Sequence, residues 1–309
     1  MHYRHSGLVQ IEARPRLPEW LRKGRTHFEA VHHLKVELRS RGLHTVCESA
    51  RCPNMHECFQ RGAATFMILG NRCTRGCGFC SVPKGLPGKV EFVLDPAEPR
   101  QVAEMAAQMK LRYVVITSVN RDDLPDGGSA HFAETVRQVR QLLPEARVEV
   151  LTPDFCGDFE AVARVLDAGP YVFNHNVETV PRLYRRVRPQ ANYHQSLEVL
   201  RFAKRHAPGI LTKSGFMVGL GERREEVHEL LDDLVKTGVD VVTIGQYLQP
   251  TRRNLPVAEF IAPEQFEAYG KYGRAAGIKW VFSGPLVRSS YMAEHVSEEI
   301  GAQLFRSHG

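Results

Sequence analysis

Seven cysteines punctuate the chain, and six fall into two tight groups: Cys73, Cys77 and Cys80 with C-x3-C-x2-C spacing, and Cys47, Cys52 and Cys58 with C-x4-C-x5-C spacing. Three thiolates this close together can hold three irons of a four-iron cluster and leave the fourth iron without a protein ligand, where a small molecule can chelate and react. Structural zinc needs four ligands, usually paired as two C-x2-C units, and neither group has that form. The ferredoxin run C-x2-C-x2-C-x3-C is not matched either. Gly76 and Gly78 allow tight curvature that brings amide N–H groups toward sulfur, and Phe79 sets an aromatic surface beside Cys80. The seventh thiol, Cys156, reads as a small buried apolar residue.

Chemistry of this kind needs a scaffold, and the chain is long enough for one. Its 309 residues, 43% hydrophobic and 25% charged, are those of a globular protein with ample core. No apolar run is long enough to span a bilayer. The N-terminal segment has no signal-peptide apolar region, and Glu12 and Glu19 argue against a transit peptide. A reducing, cytoplasmic setting follows as the expectation, where clustered cysteines are metal ligands rather than disulfides. The net charge of +6 suits an acidic partner, but no arginine-rich block or aromatic-basic interleaving points to nucleic acid.

From residue 65 onward, strand-like runs alternate with helix-period segments. Thr65–Leu69, Tyr113–Thr117, Val148–Leu151, Tyr171–Asn174, Leu211–Val218 and Val239–Ile244 are rich in Val, Ile, Phe or Tyr. Between them Val102, Met105, Ala106 and Met109, and likewise Val227, Leu230, Leu231 and Leu234, recur at i, i+3, i+4, i+7 and mark core faces of helices. Six such units imply an α/β protein with a parallel sheet, either open and doubly wound or curled into a closed or partial barrel. In both, chemistry collects at the C-terminal ends of the strands. The polar, Gly-rich segments obey that rule: the Cys73–Cys80 loop, Ser118–Gly128, His175–Glu178, Gly219–Glu222 and Gln246–Asn254 each follow a strand. Residues 1–60 form an N-terminal extension with a helix expected from about Phe28 to Arg41, residues 61–285 the α/β body, and residues 286–309 a C-terminal tail.

The C-x3-C-x-aromatic-C loop after a first strand resembles that of the radical S-adenosylmethionine (SAM) enzymes. Gly215-x-Met217-x-Gly219-x-x-Glu222 is similar to their adenine-contacting fifth-strand motif. The second trio narrows the resemblance to the lipoyl synthases, as do Arg121-Asp122-Asp123-Leu124-Pro125-Asp126-Gly127-Gly128, His175-Asn176-Val177-Glu178-Thr179-Val180 and Gly284-Pro285-Leu286-Val287-Arg288-Ser289-Ser290-Tyr291. The match runs from about Trp20 to Tyr291. It departs at Thr251-Arg252-Arg253-Asn254, where Ser-Arg-His-His is commoner in the family, and at Asn120, where Asp is common.

This resemblance implies a partial (β/α)6 barrel of the radical SAM type with N- and C-terminal extensions. It implies two 4Fe-4S clusters: one on Cys73, Cys77 and Cys80 that binds SAM, and an auxiliary one on Cys47, Cys52 and Cys58 with Ser290 as fourth ligand. The implied activity is insertion of two sulfur atoms into an octanoyl group on a lipoyl carrier domain or H protein, the auxiliary cluster being the sulfur donor. Expected SAM contacts are Phe79, Gly219 and Glu222, with Asn176 and Glu178 toward the ribose and Asn120 and Arg121 toward the methionine portion or the substrate. The last four equally fit turn or capping roles. A ferredoxin- or flavodoxin-type electron donor and an iron–sulfur carrier complete the implied partners, and one chain suffices as a monomer. The alternatives are another sulfur-inserting radical SAM enzyme, which shares the first trio but not the second, and a non-enzymatic iron–sulfur carrier.

Overall fold

The computed structural model describes residues 16–22, 29–49, 52, 54–60, 65–86 and 93–290. The start of the first expected helix at Phe28, the trio-flanking Ala50, Arg51 and Pro53, Tyr291 and the tail beyond it lie outside them. Eight strands form one sheet in chain order: β1 (His44–Thr45), β2 (Thr65–Ile68), β3 (Tyr113–Ser118), β4 (Arg147–Leu151), β5 (Val172–Asn174), β6 (Leu211–Val218), β7 (Val241–Gln246) and β8 (Trp280–Gly284). Strands β2 to β8 are mutually parallel, and β1 adds to β2 antiparallel. The sheet order does not return from β8 to β1, so the barrel stays open.

The six expected strands are all present, and two more flank them, one in the N-terminal extension and one at the end of the body. Strand β1 brings the N-terminal extension onto the sheet edge, two residues from Cys47. Strand β8 takes up residues 280–284, at the very end of the expected body, and delivers the tail to the barrel mouth. The helix Glu29–Ser40 falls where one was expected.

Alternation along the strands sorts the interior. Val114, Ile116, Val148, Val150 and Phe173 pack with Val102, Phe132, Val136 and Val162 of the outer helices. The alternate positions face the lumen and are polar to an unusual degree: Thr117, Glu149, Asn174, Lys213 and Thr243 are all buried. Local signals set the helix ends. Asp158 accepts from the backbone N–H of Glu160 and Ala161 and starts Phe159–Asp167, while Gly238 in a left-handed conformation (φ 76°) ends Arg224–Thr237. Asp126 accepts from the N–H of Gly128 and Ala130, so Asp126-Gly127-Gly128 is the tight turn its composition announces. No described helix is long and apolar enough to cross a membrane.

Candidate active site at the barrel mouth

The Cys73–Cys80 loop leaves β2 through Leu69 (φ 67°) and Gly70 (φ 87°), which turn the chain across the strand end. It is fixed from three sides. Cys73 N–H donates to Pro83 O at 2.9 Å and Gly85 N–H to Cys73 O at 3.0 Å, closing the loop on itself. Gly78 N–H donates to Val187 O at 2.9 Å, and Leu255 N–H to Gly78 O at 3.0 Å. Asn254 Nδ2 reaches Cys80 O at 3.0 Å. A Cβ at Gly78 would lie 2.9 Å from the Leu255 side chain and 3.2 Å from Arg186 O, so glycine is required by the clasp itself. The backbone N–H groups of Arg75 and Asn120 each point at Cys73 Sγ from 3.4 Å, the arrangement that stabilises a metal-bound thiolate.

Beneath the loop Arg75 is buried in a fork of carboxylates. It donates to Asp122 Oδ2 at 2.7 Å and to Asp154 at 2.6 and 2.9 Å, and with its amide oxygen turned inward Asn120 accepts from Arg75 Nε at 2.7 Å. Burial alone would raise the Asp154 carboxyl, but the Arg75 hydrogen bonds and charge hold it down at about 2. Burial pushes the Cys77 thiol up to about 11 against the pull of Arg188, and raises Cys80 as well. These thiols therefore stay protonated until metal displaces their protons.

Around the mouth several buried polar atoms have no partner among the described residues: Ser118 Oγ at the end of β3, Thr152 Oγ1 after β4, Asn174 Oδ1 at the end of β5, and Arg188 Nε. Each such atom costs about 1–3 kcal/mol if left unpaired, and their collection at the strand C-termini fits a polar ligand lying across the rim. Glu178 stands there in a left-handed conformation (φ 66°), its carboxyl raised by burial and held by Asn176 Nδ2 at 3.1 Å. Its backbone brackets Phe216 of the adjacent strand, donating to Gly215 O at 3.0 Å and accepting from Met217 N–H at 2.9 Å. A strained residue locked this way is characteristic of a site rather than a packing position.

The second trio is tied to the same mouth. Cys47 is buried, and Cys52 N–H donates to Cys47 O at 3.0 Å. Burial pushes the Cys47 thiol up to about 11. Asn54, between Cys52 and Cys58, donates to Leu286 O of the tail at 2.8 Å, and half-buried Arg288 stands close enough to interact electrostatically with Cys52. Ser49 O accepts from Ser81 Oγ, one residue after Cys80, at 2.7 Å. The tail then crosses the barrel. Val287 O lies so close over Gly245 that no side chain fits there, and Ser289 Oγ donates to Asn176 Oδ1 at 3.0 Å over Gly215. The stretch 285–289 thus touches the second trio's segment at one end and the rim beside Glu178 at the other.

The residues singled out by sequence are distributed as follows. Phe79, Asn120, Asn176 and Glu178 surround the first trio or the adjoining rim. Arg121 is buried, with its guanidinium on Asp123 at 2.8 Å. The Glu222 carboxylate accepts the N–H groups of Gly219 and Leu220, shaping the turn after β6. Gly219 (φ 96°) is crowded by Glu259 O and Gln246, so only glycine fits. Ser290 is half-buried at the end of the crossing stretch. Sequence reading passed over Arg75, Asp154, Arg188, Asn54 and Ser289. Ser289 was signalled by the Arg-Ser-Ser-Tyr run, which offers two serines. The expectation for Cys156 is corrected: it is exposed, because Phe155, Cys156 and Gly157 all turn left-handed (φ 46°, 53° and 84°) and carry its thiol out over Arg75 and Asp122. All seven cysteines are free thiols, and among the described residues no three His, Cys, Asp or Glu side chains converge tightly enough to hold one ion. A cluster spreads its ligands over a cube and needs no such convergence.

One pH dependence follows from the rim. His175 is fully buried between Thr152 O and Ser196 Oγ, each at 3.0 Å, and burial pushes it down to about 4. Between pH 6.5 and 4 the unfolded chain binds a proton that the folded one refuses, so this contribution to stability is present above the unfolded value and lost as pH falls. Between pH 7 and 5.5 the loss is expected to be about 1 kcal/mol, read from urea midpoints and absent in His175→Gln.

Comparison with known proteins agrees with this geometry. Residues 67–234 match the Radical SAM superfamily, and residues 2–52 match the N-terminal domain of lipoyl synthase of the Radical SAM family. The chain is 55% identical over 282 residues to a lipoyl synthase of Rubrobacter xylanophilus, covering 91% of this chain and 87% of that one. It is 55% identical over 279 residues to a lipoyl synthase of Caldanaerobacter subterraneus subsp. tengcongensis, covering 90% and 96%. Among solved structures, Streptococcus suis SuiB bound to S-adenosylmethionine superposes with TM-score 0.54 at 11% identity over 75% of this chain and 54% of that one, a likeness of fold alone. With its thiol loop at the end of the first parallel strand and these relatives along nearly its whole length, the chain belongs to the lipoyl synthase family of radical SAM enzymes.

Proposed function

We propose that the chain inserts two sulfur atoms, at the sixth and eighth carbons, into an octanoyl group carried on a lysine of a lipoyl carrier domain or H protein. It would act as a monomer in the cytoplasm, drawing electrons from a ferredoxin- or flavodoxin-type donor, with an iron–sulfur carrier rebuilding its auxiliary cluster. Superfamily membership implies SAM and one four-iron cluster. Cys73, Cys77 and Cys80 would hold that cluster, and Cys47, Cys52 and Cys58 would hold an auxiliary one, with Ser290 as its fourth ligand as the family resemblance implies. When bound, these groups supply radical hydrogen abstraction and sulfide.

The chain's own residues have three tasks. The N–H groups of Arg75 and Asn120 steady the Cys73 sulfur, while the Arg75–Asp122–Asp154 fork holds the loop rigid from below. Asn176, Glu178, Arg188 and the unpartnered atoms of Ser118 and Thr152 offer polar contacts to SAM along the rim. The crossing tail is tied to the second trio's segment through Asn54 and to the rim through Asn176, and would hold the two trios at a fixed spacing. An alkyl chain has no polar handle near its reacting carbons, so alignment must come from this rigid spacing, and an error of about 1 Å can cost about a hundredfold in rate. Ser290 suits the auxiliary site because a serine oxygen is a harder, poorer partner for iron–sulfur chemistry than thiolate, and the iron it holds is the easiest to release.

The observation that carries this reading is the tail's double attachment, to Asn54 in the second trio and to Asn176 beside the first. Mass spectrometry of an octanoylated carrier incubated anaerobically with reconstituted enzyme, SAM and reductant tests it. A gain of two sulfur atoms is expected; an unaltered octanoyl group despite SAM cleavage would sink it.

A further inference from the structure

We propose that the outer face of the Cys73–Cys80 loop is the docking surface for an acidic, low-potential one-electron carrier protein. This inference rests on the function proposed above, which requires reducing electrons, and adds where they enter. The three segments that clasp the loop, 72–84, 184–190 and 250–257, contain eight Lys or Arg and no Asp or Glu. Arg75 and Arg188 are buried; Arg72, Lys84, Arg185, Arg186, Arg252 and Arg253 are exposed. None of the exposed arginines makes an ion pair or side-chain hydrogen bond among the described residues, and Lys84 bonds only to Cys80 O. Elsewhere about half of the exposed cations are ion-paired, as Arg182 is with Glu226 and Lys236 with Asp233, and the unpaired ones, such as Lys110, Arg205 and Arg224, are scattered rather than gathered around one loop.

Position decides which partner this frame fits. Val187 O and Leu255 N–H bond directly to Gly78, between Cys77 and Cys80, so Arg185, Arg186, Arg252 and Arg253 stand one to three residues from backbone that touches the cluster loop. The second trio's segment and the tail are tied together and lie against the loop at Ser81, so the face available to a partner protein is the one that carries Thr74 and the exposed Gly76. A redox partner must bring its own centre against that face, because one electron has to pass from its reduced flavin or iron–sulfur group to the cluster. An acylated carrier reaches the lumen through a long lysine arm and has no need to sit on the loop. Electron-transfer encounters are small and transient, and they are steered by charge complementarity that salt weakens.

The test uses the anaerobic holoenzyme and a purified acidic flavodoxin. Binding of oxidised flavodoxin by titration calorimetry is expected to weaken at least about tenfold at low salt in Arg185→Glu/Arg186→Glu, and independently in Arg252→Glu/Arg253→Glu. Binding of octanoylated H protein and SAM cleavage driven by dithionite should stay at parental levels. Folding of each pair is checked by circular dichroism, and because the pairs lie on different segments, either alone can decide. The proposal is overturned if the folded variants bind flavodoxin like the parent, if the parent does not bind it, if octanoylated H protein is the ligand lost, or if dithionite-driven cleavage falls in step. Failure of the parent to cleave SAM with dithionite would instead count against the enzymatic reading, while leaving the binding result standing.

Discussion

Alanine at Cys73, Cys77 or Cys80 is expected to abolish SAM cleavage, whereas alanine at Cys47, Cys52 or Cys58 should leave SAM cleavage within about tenfold of the parent and abolish sulfur insertion. The two trios are proposed to do separable jobs in one mouth, and the separation is the measurable consequence. Substitutions beyond the ligands of a metal site typically cost about 10–100-fold. Loss of a ligand thiolate should cost more, at least about a thousandfold, and the triple variant should be no worse than any single one because the three act as a unit. The readouts are 5′-deoxyadenosine by chromatography and sulfur gain by mass spectrometry, on the same anaerobic samples. Parallel loss of both activities in folded variants of the second trio would mean one cofactor, not two, and end the two-site reading. Ser290→Cys refines the test: with four thiolates the auxiliary iron should be retained, and sulfur insertion should fall while SAM cleavage persists.

Much of this arrangement was legible in the sequence, for identifiable reasons. Strands buried on both faces carry unbroken Val/Ile/Phe runs, so β2 to β7 announced themselves to within two residues. The motif loops fell at strand ends because that is where an α/β sheet leaves backbone unpaired. Contacts long in sequence were not legible. Asn54 meets Leu286 across 232 residues, and Ser289 meets Asn176 across 113, and no local pattern encodes either. Strand β1 is two residues long, below any periodicity signal, and β8 is a short run that ends at once in Gly284-Pro285, which reads as a break closing the body. Glu222 illustrates a third kind of gap. Its motif suggests a ligand contact, and its carboxylate also accepts the Gly219 and Leu220 N–H groups of its own turn, a shaping role the motif does not disclose. Cys156 failed for a backbone reason, three consecutive left-handed residues that composition does not disclose.

A legible but unread signal lies in the lumen and leads to the second large effect. Leu211–Val218 and Arg147–Leu151 each carry one opposite charge at an inward position, Lys213 and Glu149. Both side chains are nearly inaccessible (2% and 1%), with Nζ at 2.9 and 3.1 Å from the two carboxylate oxygens. Tyr113 Oη donates to Glu149 Oε2 at 2.7 Å and Asn174 Nδ2 to Oε1 at 2.9 Å, so the carboxylate is fully satisfied. Removing one charge should therefore be far worse than removing both. Lys213→Met leaves Glu149 buried and unpaired and is expected to destabilise by about 3–5 kcal/mol, whereas Lys213→Met/Glu149→Leu should recover most of that loss. Urea unfolding of the four members of the cycle measures it. A double variant no more stable than Lys213→Met would show that packing volume in the lumen, and not the stranded charge, sets the penalty. Recovery of stability without recovery of SAM cleavage would place the pair's value in the shape it gives the floor of the site, since the strands that Lys213 and Glu149 lock together carry Gly215 and Thr152 to the rim.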